Sequence, residues 1–144
     1  HAIAPGNGDP PNFDISDCST QRNLSKEGEL QALKIGKFFK KNDIELTKVL
    51  SSEWCRCKDT AKIAFGNYET KNFLNSFYDE RFSENKDKQI LDFQKFIRNW
   101  NKTGNLVLVT HYVVISEILD LTTSSGEIVI TDTNLKFLSS LEIN

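Results

Sequence analysis

From residue 26 to residue 42 apolar and charged positions follow a helical spacing, with Ala32, Ile35, Phe38 and Phe39 on one arc and Lys34, Lys37, Lys40 and Lys41 opposite. Ser25 stands just ahead as an N-cap, so the pattern predicts an amphipathic helix over Lys26 to about Asn42, lying on something flat. Lys48-Val49-Leu50-Ser51 reads as a short buried strand running into a helix over Glu53 to Phe65, where Cys57, Ala61, Ala64 and Phe65 share a face. Ile90, Phe93, Ile97 and Trp100 recur at three- and four-residue intervals and predict another helix over Asp87 to Trp100. Gly66 to Asn85 keeps neither period and is expected to be irregular.

Gly104-Asn105 is a turn signal ahead of Leu106-Val107-Leu108-Val109-Thr110, a continuous apolar run typical of a strand covered on both faces. His111 ends that strand. A helix is expected over about Val113 to Leu121, then a terminal hairpin from Glu127 to Thr131 and Leu135 to Leu141, split by Asp132-Thr133-Asn134. Residues 1 to 19 hold all three prolines together with Gly6, Gly8 and Asp9 and read as a long loop. Strands alternating with helices give an α/β fold, a three-layer sandwich with a mostly parallel central sheet flanked by helices. With 144 residues, 38% of them hydrophobic, the chain can build one core, and a single domain is expected over residues 1–144.

Charge narrows the function classes. Lys and Arg total 18 against 20 Asp and Glu, for a net charge of −2 and a pI near 5.7, so no whole-molecule field draws nucleic acid or an anionic membrane. Neither is expected as a partner, and any grip on an anion must be local. The longest apolar stretches are four-residue pieces such as Leu106 to Val109, far short of the ~18 to 20 residues of a membrane span. Cys18, Cys55 and Cys57 do not match the paired knuckles of structural zinc, nor the Cys-to-Arg loop of a cysteine phosphatase. They read either as small half-buried side chains or as one disulfide and one free thiol.

Two histidines exist, His1 and His111. His111 stands at the carboxyl end of a buried strand, where open α/β sheets build their sites. Ser51-Ser52 supplies a second strand end, with Arg56 in the first turn of the next helix. Free N–H groups and the positive end of the helix dipole suit that place to an anion, and a guanidinium fork there binds two phosphate oxygens at once. The alternative is a solvated Arg56 pairing with Glu53 or Asp59. Arg22, immediately before a helix start, is a third basic candidate.

Taken together, His1-Ala2, Arg22-Asn23-Leu24-Ser25-Lys26-Glu27-Gly28-Glu29-Leu30-Gln31-Ala32, Ser51-Ser52 to Thr60-Ala61 and Val109-Thr110-His111 resemble the histidine phosphatase superfamily, of phosphoglycerate mutase-like fold. The resemblance implies a metal-independent, cofactor-free phosphatase that forms a phosphohistidine on His1. His111 would be the second pocket histidine, Arg56 the arginine of the Ser-Ser motif and Arg22 an additional phosphate ligand. The substrate would be a phosphorylated small molecule or a phosphoprotein, phosphohistidine included; a catalytically inactive phosphate-binding module is the rival. No Glu motif matches the superfamily's leaving-group acid, which leaves Glu80 and Asp9 as candidates. The superfamily also carries an apolar strand and an Arg ahead of the nucleophile, which the domain starting at His1 lacks, so an open slot is expected between the strands ending at Ser51 and Thr110. Small bacterial members are similar in the runs Ala4 to Pro10, Asp17 to Ser25 and Trp54 to Cys57. That likeness implies export to the periplasm, with the cytoplasm as alternative, and a disulfide from Cys18 to Cys55 or Cys57.

Overall fold

The computed structural model describes residues 1–101 and 103–143. Helix α1 (Lys26–Lys41) is capped by Ser25, whose side chain accepts from the Gly28 amide. Glu27 and Glu29 lie in its first turn and Lys40 and Lys41 in its last, matching the helix dipole at both ends. Its buried arc holds Ala32 and Ile35 and packs on α2 (Cys55–Phe65). The two backbones touch at Gly36, where a Cβ would sit 2.3 Å from the Ala64 carbonyl oxygen.

Strands β1 (Leu46–Ser51), β2 (Glu69–Thr70) and β3 (Asn105–Val109) form a parallel sheet in the order β2-β1-β3. Side chains alternate across it with the two-residue period of a strand. Leu50, Leu106 and Leu108 join Phe73, Leu74, Phe93, Ile97 and Val114 beneath α3 (Lys86–Arg98) and α4 (Tyr112–Leu119). Val49, Val107 and Val109 face Cys57 and Ala61 of α2 on the other side. The result is the three-layer α/β sandwich with helices on both faces. Strands β4 (Ile128–Thr131) and β5 (Phe137–Leu141) pair as the antiparallel terminal hairpin.

Three features depart from expectation. Residues 66–85 are not wholly irregular, because Glu69 and Thr70 pair with Leu50 and Ser51 as β2. The strands ending at Ser51 and Thr110 have no slot between them: β1 and β3 are hydrogen-bonded neighbours, with Ser51 opposite Val109. The break lies instead between β3 and the β4–β5 hairpin, which belong to separate sheets. Consequently the Leu106-Val107-Leu108 run is half-buried rather than fully covered, since β3 has a strand on one edge only among the described residues. The far end of that break is bridged by residue 1. The His1 α-amino group donates to the Thr110 carbonyl (2.9 Å), and the Gly126 amide donates to the His1 carbonyl (2.9 Å).

Candidate active site

Residues 1–3 are held by groups from the conspicuous sequence segments. The Ala2 amide donates to Thr60 Oγ1 (3.0 Å), and the Ile3 amide donates to Gln31 Oε1 (3.0 Å). Gln31 also donates through Nε2 to the Ser125 carbonyl, joining this segment to the approach of the hairpin. Gly28 is required where it stands, because a Cβ there would lie 2.1 Å from the Ile3 carbonyl oxygen. Gly28, Gln31 and Thr60 are thus the clamp that fixes His1.

His1 Nδ1 lies 2.8 Å from the Ala2 carbonyl oxygen, an acceptor only, so Nδ1 carries the proton and Nε2 keeps a lone pair. Arg56 Nε donates to that Nε2 at 3.2 Å. The His111 ring stands 5.3 Å from the His1 ring, centroid to centroid, close enough for both to reach one phosphoryl group. His111 Nδ1 faces Arg56 Nη2 at 3.5 Å and must accept, since a guanidinium only donates. Its Nε2 therefore carries the proton and donates to Ser52 Oγ (2.9 Å), which in turn donates to Asn75 Oδ1. Burial, reinforced by the charges of Arg56, the α-amino group and Arg22, lowers the His111 pKa well below the ordinary imidazole value and keeps the ring neutral. The Cys57 thiol beside it, 3.5 Å from His111 Nε2, is pushed up by the same burial and stays protonated.

Arg56 is 2% exposed and pairs with neither Glu53 nor Asp59. Its partner is Asp9, whose oxygens lie 2.9 and 3.2 Å from Arg56 Nη1. Asp9 also accepts from Trp54 Nε1 (3.0 Å) and from the Arg22 amide (3.0 Å). Every partner of Asp9 is a donor, so this carboxylate acts as an anchor for the arginine and not as an acid awaiting a leaving group. Arg22 is tied into the wall by Nε to the Gly8 carbonyl and by Nη1 to the Ala4 carbonyl. Burial, with Arg56 nearby, lowers its pKa, though a guanidinium remains charged.

His1, Asp9, Arg22, Arg56 and His111 line one cavity of about 30 Å³. Glu80 is exposed and lies outside that lining; its neighbour Asp79 lines it instead. Hydrogen bonds from the Arg81 side chain and amide hold Asp79 down to a pKa of about 2. The α2 terminus contributes differently from expectation. The N–H groups of Glu53, Trp54 and Cys55 are already taken by Asn75, Ser52 and Gln21 side chains, so the Arg56 side chain, not the backbone, faces the cavity. Cys18 and Cys55 form a disulfide that fastens the preceding loop to this terminus, and Cys57 is the free thiol. Among the described residues no three His, Cys, Asp or Glu side chains are grouped to hold a metal ion.

Solved structures share this architecture over nearly the whole chain. The protein histidine phosphatase SixA complexed with tungstate superposes with a TM-score of 0.61 at 18% identity, covering 99% of this chain and 92% of that one. A protein assigned as the phosphohistidine phosphatase SixA of Agrobacterium tumefaciens gives 0.64 at 16% identity, covering 98% and 92%. Phosphoglycerate mutase from Thermus thermophilus gives 0.58 at 20% identity, covering 85% of each. The fold is that of the histidine phosphatases. No protein-family model matches this sequence, and comparison with curated proteins gives no match. Within the histidine phosphatase fold, Asp9, Ser52 and Thr60 are the polar groups that sequence reasoning did not assign to the roles they hold here. Ser52 and Thr60 lay inside a recognised motif, and Asp9 was visible only as a carboxylate in a loop of turn residues.

Proposed function

We propose that the protein is a phosphatase working through a phosphohistidine on His1. The observation that carries this reading is the neutral His1 Nε2, its lone pair fixed by the Nδ1 bond to Ala2 and set beside the Arg56 guanidinium. The Nε2 lone pair attacks phosphorus, the bond to the leaving atom breaks with its electron pair, and phosphorus is carried on Nε2. Arg56 and Arg22 neutralise the non-bridging oxygens, and the incoming negative charge favours a proton on His111 Nδ1, through which His111 donates to the same oxygens. Water then attacks phosphorus, loses its proton, and returns the electron pair to Nε2. The tungstate bound by the similar SixA protein, a tetrahedral oxyanion, supports a phosphate-sized ligand here.

A phosphorylated imidazole is favoured over an alkyl ester by one specific observation: Asp9 and Asp79 are both engaged by arginines, and Glu80 is outside the cavity. Imidazole leaves without needing a carboxylic acid beside it. The Cys18–Cys55 disulfide supports an oxidising compartment, and we place the protein in the periplasm.

Turnover of para-nitrophenyl phosphate tests the reading. It is expected to survive EDTA, to be inhibited by vanadate, and to fall by about 10³ or more in His1→Ala, which removes the covalent path. His111→Ala and Arg56→Ala are each expected to lose on the order of 10², the scale of one transition-state charge stabiliser. Near-wild-type turnover by His1→Ala refutes the mechanism, and no turnover by the wild type leaves the phosphate-binding module as the better description.

A further inference from the structure

The cavity that gathers the two histidines and two arginines is too small for a whole substrate. Its 30 Å³ admits roughly two waters at ~10–15 Å³ of probe volume each, about what phosphoryl oxygens displace. Whatever carries the phosphoryl group must lie at the mouth. Two tyrosines stand among the lining residues with half their surface in solvent, Tyr78 at 49% and Tyr112 at 51% exposure. Their rings approach to 6.1 Å between centroids, inclined by 59°. Tyr78 is seated against Gly8, where φ is +63° and a Cβ would come within 3.6 Å of the ring. Tyr112 is fixed because it follows His111 at the start of α4. Of the nearby charges, Asp79 pairs with Arg81 and Asp9 with Arg56, while Arg22, held by the Gly8 and Ala4 carbonyls, is one of the two arginines assigned to the phosphoryl group.

We infer that Tyr78 and Tyr112 form a leaving-group subsite for a planar aromatic ring, so that the substrate is the phosphorylated form of such a ring. The inference rests on the phosphatase reading and adds which residues select the leaving group. Two independent features meet in it. The mouth offers π-faces and, among the described residues, no cation beyond the arginines assigned to the phosphoryl group, which suits an uncharged flat ring better than a sugar phosphate or a second phosphate. The interior offers no free carboxylic acid, which suits a leaving atom able to depart unaided. In the first step the His1 Nε2–P bond forms while the bond from phosphorus to the ring oxygen or nitrogen breaks. The electron pair stays on the ring, which leaves as an aryl oxide or, if its other nitrogen is protonated, as neutral imidazole.

Binding and turnover test it separately. Calorimetry with phenylphosphonate and methylphosphonate is expected to show the phenyl compound binding about tenfold tighter, on the scale of one ring-on-ring contact. That ratio is expected to fall to about twofold or less in Tyr78→Ala/Tyr112→Ala and to persist in Tyr78→Phe/Tyr112→Phe. Equal binding of the two phosphonates by the wild type, or a ratio unmoved by the alanine pair, overturns the subsite and leaves the phosphatase reading standing. In kinetics, glycerol phosphate is expected to fall at least about 10²-fold below para-nitrophenyl phosphate in kcat/KM, the size of a missing general acid. Turnover of the two within tenfold, or a collapse of turnover as deep in the phenylalanine pair as in the alanine pair, which marks a phenol as the acid, overturns it as well. Failure of the wild type to turn over any phosphate overturns the phosphatase reading and the subsite with it.

Discussion

Asp9→Asn is the sharpest single perturbation, because it keeps the shape of the side chain and changes only what it can accept. Asp9 receives hydrogen bonds from Arg56 Nη1, Trp54 Nε1 and the Arg22 amide, three donors on two oxygens. An asparagine has one oxygen and an NH₂ group. If the oxygen stays with Arg22 and Arg56, the NH₂ faces the indole N–H; if the amide is reversed, it faces the arginine. Either way one buried donor loses its acceptor, at about 1–3 kcal/mol. Arg56 also loses its counter-charge at a site where its side chain is 3% exposed and that of Asp9 5%. Removing one partner of a buried pair costs about 3–5 kcal/mol, because the remaining charge is uncompensated, and this term dominates. Urea unfolding of Asp9→Asn should therefore show a loss near that size. Since Arg56 is the group Asp9 holds, kcat should fall by on the order of 10² for aryl and alkyl phosphates alike. A variant within about 1 kcal/mol of wild type refutes the anchor, since surface-like substitutions fall in that range. A loss confined to alkyl phosphates would instead make Asp9 the acid.

Reducing the Cys18–Cys55 disulfide, or Cys18→Ser, should lower the unfolding free energy by about 4 kcal/mol from loop entropy, the bridge closing a sequence separation of 37. Urea titration with and without reductant checks this, and a change under about 1 kcal/mol counts against an ordered bridge. Because burial lowers the folded His111 pKa, the unfolded chain takes up that proton first, and the His111 contribution to stability should be constant above pH 6.5 and fall below it by about 1.4 kcal/mol per unit. His111→Gln should remove that slope between pH 6.5 and pH 5, and a slope unchanged in the variant assigns it to another group. Gly36→Ala and Gly28→Ala should each cost about 1–3 kcal/mol by overpacking. Only Gly28→Ala, which presses on Ile3, should also reduce kcat per folded molecule; equal kinetics in both variants would separate His1 from the α1 clamp.

Most of the fold was legible where periodicity was long enough to read. Helix α1 declares itself through an apolar arc bounded by a serine cap and terminal lysines, and the ends of β1 and β3 are marked by the change from apolar runs to Ser51-Ser52 and Thr110-His111. Strand β2 was not legible, since two exposed residues paired to an edge have no alternation to show. Strand order was misplaced because each apolar run states its burial and not its neighbour. Half-burial of Leu106 to Leu108 records the unpaired edge of β3, a property of tertiary arrangement alone. At the site, Arg22, Arg56, His1 and His111 were nameable because their chemistry is rare in this chain and falls at strand ends and loop bases. The arginine-holding place of Asp9 was not legible because a carboxylate in sequence does not reveal its donors. That Asp79 and not Glu80 lines the cavity was not legible because a one-residue shift within a turn decides which of two adjacent carboxylates faces inward.

The backbone of His1 is hydrogen-bonded to Thr110 at the end of one sheet and to Gly126 at the entry to the other. Mechanically, residue 1 is a rivet across a seam between two plates. A rivet reports the slip of the plates it joins: a shift of the hairpin by one strand residue, about 3.3 Å, would have to be taken up at His1. The position of the His1 imidazole and the mutual position of the two sheets are therefore one variable. A load placed on the exposed side chains of β5, Phe137 and Leu138, would be felt at His1 as displacement.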